Sequence, residues 1–416
     1  MKESSTLEFK REISKTFLKT VSAFANYGTG KVVFGVGDNG EAVGLANPED
    51  VALRVENAIN DALAPVPRFA IAVDEGSRTV ELTVFEGVDK PYLCGGKAYR
   101  RADTATVAVD RLEYNRLSLL GANTTFDALE SARQDLSFEL LESNLREKTG
   151  IQALDRNAFI SLELANPEGR YCNAAALLAD DNQFEGVDMA RFGDDLNTIL
   201  ARRSFGKSSL LRQMQQAMEM FEEYYGFEKI AGAERIAGYM VPREAFREAI
   251  ANALVHRCWD VRANIKVGMF ADHVEITSPG GLPQGITKEE YISGGPSVSR
   301  NPILANVFFR LGYIERFGTG IPRIVQEYAS LTVSPRFDVR DASITVVLPV
   351  DGSVGVSSDE AAVLKALPKG ACLTRAEISD AAGMSRDKAI RVLGGLADKG
   401  LVIRSGSSRS TRYSRN

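Results

Sequence analysis

Cysteine is scarce in this 416-residue chain and never paired. The four cysteines, at 94, 172, 258 and 372, form no Cys-x-x-Cys. That spacing excludes a disulfide framework and a thiolate zinc site, and it reads as reduced thiols in a cytoplasmic protein. Long apolar runs are missing too. No stretch approaches the roughly 20 residues that span a bilayer. The N-terminus, Met-Lys-Glu-Ser-Ser-Thr-Leu-Glu, is charged from the start and lacks the apolar segment of a secretion signal. No membrane association is expected. A large excess of either charge is also absent, since 50 Lys+Arg against 55 Asp+Glu leaves −5.

That balance hides an asymmetry. Residues 121–200 hold 15 acids and 6 bases, a net of −9, whereas residues 385–416 hold 8 bases and 2 acids, a net of +6. A basic end on an acidic protein points to a local contact with nucleic acid; the plainer alternative is a solvated tail. The rest of the composition, 44% hydrophobic and 25% charged, is that of a globular protein. The length predicts roughly three domains, and the expected class is multidomain α+β.

The clearest physical pattern closes the chain. Asp359–Leu367 predicts a helix. Thr374 caps a second over Arg375–Ala382, ended by Gly383. Ser385 caps a third over Arg386–Lys399, ended by Gly400, with Ala389, Val392, Leu393 and Leu396 facing inward. Leu401–Arg404 and Arg409–Tyr413 predict two strands around the turn Ser405–Ser408. Helix, helix–turn–helix and β-wing together resemble the winged helix–turn–helix of bacterial transcriptional regulators. The resemblance implies a third helix in the major groove of duplex DNA, with Arg386, Lys388 and Arg391 on its exposed side. Wing residues Arg404, Arg409 and Arg412 would meet phosphates. The two-fold geometry of such regulators implies a homodimer. A winged helix that binds protein is the alternative.

A second centre of gravity is Pro242–Trp259. Pro242 suits the first turn of a helix, and Phe246, Ile250, Ala253 and Leu254 form one apolar face. Glu248, Asn252 and His256 form a second stripe at i, i+4 and i+8. An acid, an amide and an imidazole in a row can hold a metal ion, a phosphate or a buried hydrogen-bond network. Arg247–Arg257, then Glu275-Ile-Thr-Ser-Pro-Gly-Gly-Leu-Pro283, Arg300-Asn-Pro302 and Glu315-Arg-Phe-Gly-Thr-Gly320 resemble the C-terminal module of RecG-helicase-related regulators. That module is similar to the ATP-binding α/β sandwich of histidine kinases, gyrase and Hsp90. The resemblance implies Asn252 as the Mg²⁺-holding asparagine with Glu248 beside it, and Gly280, Gly281, Gly318 and Gly320 in the nucleotide loops. Two departures stand out. Ser278 stands near the place of the adenine-reading aspartate, and Cys258 replaces the acid usual after His-Arg. The fold is expected, and tight ATP binding is not.

At the other end, Phe17–Tyr27 predicts a helix with Phe17, Val21 and Phe24 on one face, ended by Gly28. Lys31–Val36 predicts a strand. Gly35-Val-Gly37-Asp-Asn-Gly40 has the spacing of a dinucleotide loop, but no helix pattern follows it, so Asp38-Asn-Gly40 reads as a hairpin turn. Asp50–Leu63 predicts a helix, and Thr79–Phe85 and Ala98–Val109 predict strands. Glu3-Ser-Ser-Thr-Leu-Glu8-Phe-Lys10, Ala23-Phe-Ala-Asn-Tyr-Gly-Thr-Gly30 and Val33-Phe-Gly-Val-Gly-Asp38 resemble the Schlafen AlbA-type domain, usually described as DNA-binding. In Schlafen nucleases two glutamates and a later aspartate hold a metal that cleaves RNA. The resemblance implies Glu3, Glu8 and Asp38 for Mg²⁺ or Mn²⁺, with Lys10 and Arg100 on phosphates and RNA or single-stranded nucleic acid as substrate. The structural alternative is a frayed terminus at Glu3 and a turn former at Asp38.

The order along the chain is therefore an AlbA-type module over 1–111 and a mostly helical connector over 112–240. A RecG-related module follows over 241–350, then a linker over 351–358 and a winged helix over 359–416. In the connector, Ser209–Tyr225 predicts a long helix with Leu210, Leu211, Met214, Met218 and Phe221 inward. Gly206-Lys207-Ser208 ends like a P-loop but lacks the upstream glycine. A DNA-binding regulator is the expected function, with a metal-dependent nuclease and a nucleotide-responsive switch as alternatives.

Overall fold

The computed structural model describes residues 2–193, 195–231, 234–283, 285–295, 298–315, 318–331, 333–351, 358–368, 370–398, 401–406 and 411–415. The chain forms two compact units, Met1–Phe126 and Asp127–Asn416.

The first unit runs β1 (Leu7–Lys10), α1 (Phe17–Tyr27), β2 (Gly30–Phe34), α2 (Pro48–Ala62), β3 (Leu63–Ala64), β4 (Phe69–Asp74), β5 (Thr79–Val84), β6 (Leu93–Cys94), β7 (Tyr99–Ala102), β8 (Ala105–Ala108) and α3 (Arg111–Gly121). Its main sheet has the order β1-β2-β5-β4, with β1 parallel to β2 and the other pairs antiparallel. α1 has no side-chain cap at Thr16. It is held by burial instead: Phe17, Val21 and Phe24 pack with Val32, Phe34, Val80 and Leu82 of the sheet and with Val55 and Ile59 of α2. α2 has the local signals that α1 lacks. The Asn47 side chain accepts from the Asp50 N–H, and Pro48 opens the first turn. The glycine run at 35–40 makes a turn, as expected. The Gly40 N–H donates to the Gly37 carbonyl at 2.8 Å, and Val36 bridges Ala42. After the glycine run no helix begins until Pro48, so the geometry of a dinucleotide loop is not built.

The second unit opens with α4 (Glu139–Thr149), α5 (Arg156–Ser161) and α6 (Asn173–Leu178), then β9 (Val187–Phe192), β10 (Ile199–Phe205) and α7 (Leu210–Tyr225). A hairpin of β11 (Gly226–Ala231) and β12 (Glu234–Tyr239) leads to α8 (Arg243–His256), β13 (Ile265–Met269) and β14 (His273–Pro279). α9 (Lys288–Ser293), α10 (Pro302–Arg310), α11 (Gly320–Glu327), β15 (Arg336–Arg340) and β16 (Ser343–Pro349) complete this part. Its sheet has the order β10-β9-β13-β14-β16-β15, with β9 parallel to β13. The stretch expected to be mostly helical thus also supplies β9 and β10 to the sheet of the following module. In β9 only Val187 and Met189 turn fully inward, a period-2 signal too short to stand out among acids. α7 and α8 bury the predicted faces, and Phe221 stacks on Phe246 at 4.2 Å. α10 is capped from far away in sequence. The buried Asp127 carboxylate accepts from the Ile303 and Leu304 N–H groups at 2.9 and 3.1 Å.

The chain ends in α12 (Ser358–Ala366), β17 (Cys372–Thr374), α13 (Arg375–Ala381), α14 (Arg386–Asp398), β18 (Val402–Ser405) and β19 (Arg412–Arg415). Val363, Leu364, Leu367, Ile378, Val392, Leu393, Leu396 and Val402 share one core. Thr374 and Glu377 form a reciprocal capping box at the start of α13. β17 was not expected, and it makes the wing sheet three-stranded, in the order β17-β19-β18. Most of the predicted linker (352–357), Ser407 and Ser408 of the wing turn, and Arg409 at the start of the second wing strand lie outside the described residues. No described helix is long and apolar enough to cross a membrane.

Candidate functional site

Glu3, Glu8 and Asp38 do not gather into a metal centre. Among the described residues no three of His, Cys, Asp and Glu stand close enough to hold an ion. Glu3 accepts from the Phe9 N–H at 2.8 Å. Asp38 is exposed in the turn. Glu8 is buried and fully engaged: Lys10 Nζ lies 2.7 Å from one oxygen, and the other accepts from Thr20 Oγ1 at 2.7 Å and pairs with Arg101 Nη1 at 2.5 Å. Lys10, expected on phosphates, is thus a partner of Glu8. Arg100 lies 3.3 Å from Glu113 and stays half-exposed.

In the second unit, Glu248, Asn252 and His256 of α8 form one wall of a cavity of about 150 Å³. Ser278, Gly280, Gly281, Arg300, Gly318 and Gly320 line it as well. The Asn252 amide donates to Glu248 Oε1 at 3.3 Å, and Arg247 Nη2 lies 3.5 Å from the other oxygen. Glu248 is 1% exposed. Burial pushes its pKa up, against the opposing pull of Arg247 and Arg323. Burial pulls His256 down to about 4, and Arg300 adds to the effect. Arg300 itself donates to the His256 and Gly281 carbonyls at 3.4 and 3.0 Å.

Two of the glycines make room for the protein's own side chains. A Cβ on Gly320 would sit 2.7 Å from both Asn252 Nδ2 and Glu248 Oε1. Gly280, at φ +102°, would place a Cβ 2.4 Å from Cys258 Sγ and 2.8 Å from Arg300 Nη1. Ser278 brings a hydroxyl that turns to the Ala253 carbonyl at 3.4 Å, not a carboxylate that could accept from an adenine amine.

On α14, Arg386 and Arg391 are exposed, and so is Arg404 on β18. Among the described residues none of these three has an ion-pair partner. Lys388 differs from the expectation: its Nζ lies 2.6 Å from Asp359 of α12, so it ties two helices together. Arg412 is exposed and donates to the Cys372 carbonyl at 3.2 Å.

Three family models match this chain. Residues 3–110 match the family described as "Schlafen, AlbA_2". Residues 262–348 match "Putative ATP-dependent DNA helicase recG C-terminal", and residues 352–415 match "Sugar-specific transcriptional regulator TrmB". The chain joins these three kinds of module in that order. Its fold is similar to that of the DIP2311 protein from Corynebacterium diphtheriae, at 18% identity and a TM-score of 0.50, over 99% of this chain and 92% of that one. The N-terminal domain of a RecG-related protein from Nitrosomonas europaea matches 27% of this chain and 85% of its own at 25% identity, with a TM-score of 0.20. A search of curated proteins finds no match.

Within the AlbA_2 module, Arg101 is the key residue that the sequence reading passed over for its neighbour Arg100. Alternation along β7 turns one arginine out and the other in, and period 2 could have found it. Asn26, in the middle of a family phrase, is a structural residue. Its amide donates to the Tyr92 carbonyl at 2.9 Å and accepts from the Tyr92 N–H at 2.8 Å. In the RecG C-terminal module Asn301 has a similar part, donating to the Val255 and Arg257 carbonyls at the end of α8.

Proposed function

We propose that this protein is a DNA-binding transcriptional regulator whose TrmB-type module reads duplex DNA. One observation carries the reading: α14 and the wing hold Arg386, Arg391 and Arg404 exposed and without ion-pair partners among the described residues, in a segment of net charge +6. Unpaired guanidinium groups on a docking face are what phosphates and guanine edges need. In this reading the AlbA_2 module gives a second nucleic-acid surface through Arg100, the protein acts as a homodimer in the cytoplasm, and its cavity is a structural or effector site.

Titration of the full chain against duplexes selected from a random pool tests it. Arg391→Ala should weaken binding to selected duplexes by about 1–3 kcal/mol and relax sequence preference. Arg404→Ala and Arg412→Ala should each lower the salt slope by about one unit, at all sequences alike. Equal affinity for selected and random duplexes in the wild-type chain sinks the reading.

A metal nuclease is not favoured, because Glu8 is occupied by Lys10 and Arg101. The donor set of the cavity does not fit ATP either. Glu248 and Asn252 could hold Mg²⁺, but Ser278 leaves adenine unread, and the space at Gly280 is closed by Cys258 and Arg300.

A further inference from the structure

The outward face of α14 carries two residues that the positive charge does not explain. At 100° per residue, Arg386, Ile390, Gly394, Asp387 and Arg391 fall within about 140° of arc. All five are exposed, opposite the buried Ala389, Val392, Leu393 and Leu396. Ile390 is 45% exposed. A β-branched apolar side chain gains nothing in water and has less helix propensity than the arginines beside it. Gly394 lies one turn further on the same stripe. Glycine inside a helix is destabilising relative to alanine, so it needs a reason. At its neighbour Gly395 a Cβ would sit 3.3 Å from Glu360 Oε1 of α12, a tight contact within the chain. A Cβ on Gly394 would meet nothing within 4 Å. The described residues leave room for a side chain there, so nothing among them accounts for the glycine.

We propose that Ile390 reads the 5-methyl group of a thymine in the major groove, and that Gly394 lets the same helix face press against the groove wall. The inference rests on the reading of this module as a duplex-DNA reader and adds the base that it selects. The major groove presents thymine as the base with a methyl on its edge, and apolar side chains recognise it there. The stripe has the right reach, because Arg386 to Gly394 spans about 12 Å along the helix, close to the width of the groove of about 12 Å. Charge complementarity brings DNA to this face and not an apolar protein surface: Arg386 and Arg391 flank Ile390 and would meet phosphate or guanine on either side. Asp387, on the same face, disfavours non-specific phosphate contact at the helix start and can accept from a cytosine amine.

The full chain is first used to select its preferred duplex from a random pool. Each thymine of that duplex is then replaced singly by deoxyuridine, which lacks only the methyl. For the wild-type chain one replacement should weaken binding about three- to fivefold, the size expected for one buried methyl. Ile390→Ala should bind the thymine duplex about as weakly as the wild type binds the deoxyuridine one, and should no longer distinguish the two. Gly394→Ala should melt a few degrees higher, as alanine favours the helix, yet bind about tenfold worse. The melting shift guards against a folding artefact, since a damaged helix cannot both gain stability and lose DNA.

A wild-type chain that selects a sequence but ignores every thymine methyl overturns the assignment of Ile390 while the DNA-binding reading stands. No selection at all overturns both. Should Ile390→Ala change the sedimentation of the free protein and leave the thymine preference intact, the residue belongs to a protein interface and the inference fails. Gly394→Ala binding as tightly as the wild type overturns the close approach.

Discussion

Glu8 and Arg101 show what one buried ion pair settles. Their side chains are 7% and 6% exposed, so removing the Glu8 charge strands Arg101 away from water. Glu8→Gln should therefore destabilise the AlbA_2 module by about 3–5 kcal/mol, read as a lower urea midpoint for its transition. A loss below about 1 kcal/mol would mean that the carboxylate is free for other chemistry, as the family phrase suggested. Sequence alone singled out Glu8, as a metal ligand, and not its partner Arg101, because 93 positions separate the two. His256 makes a separate case through pH. The native imidazole resists protonation until about pH 4, whereas the unfolded one takes a proton near 6.5. The unfolded state thus binds more protons between those values, and stability falls as pH drops from about 6.5 to 4. His256→Asn should flatten that window in melting curves taken against pH, by at most about 3 kcal/mol.

Among elements, legibility followed locality. α1, α2, α13 and α14 were readable because an apolar stripe or a cap lies within each. α9 carries a complete capping box, Thr287 with Glu290, and was overlooked because it buries no residue and so leaves no stripe. β9, β10 and β17 were missed for a related reason: short strands take their stability from neighbours distant in sequence. α10 depends on such a neighbour at its very start. Asp127→Ala should leave two buried N–H groups without an acceptor and cost about 2 kcal/mol or more in chemical denaturation. The cavity beside α8 was half legible. Glu248, Asn252, Gly280, Gly281, Gly318 and Gly320 of its lining stand in the family phrases, but their mutual engagement was not legible, since a glycine kept for a ligand and one kept for a neighbouring side chain look alike in sequence. From that engagement, isothermal titration with ATP and Mg²⁺ should give no dissociation constant near or below about 10 μM; one in that range, lost in Asn252→Ala, overturns the reading of the cavity as a poor nucleotide site.

For the whole molecule, the order of modules is what the sequence displayed best, and the boundaries between them least. The winged helix keeps its own core, so a chain ending at residue 356 should keep the melting transitions of the remainder and lose sequence-specific duplex binding. The sheet of the RecG C-terminal module behaves otherwise, because it draws strands from both sides of residue 240. β9 is parallel to β13, and the Gly186 N–H meets Asn264 Oδ1 across 78 positions. On a ribosome adding about 5–20 residues per second, the β9–β10 hairpin, complete at Phe205, waits about 3–13 s for β13, which ends at Met269. During that interval β9 offers an open row of backbone donors and acceptors to any other nascent chain. The interior position of β9 in the finished sheet is thus a hazard of synthesis, and slowing translation after residue 205 should raise the aggregated fraction of newly made protein.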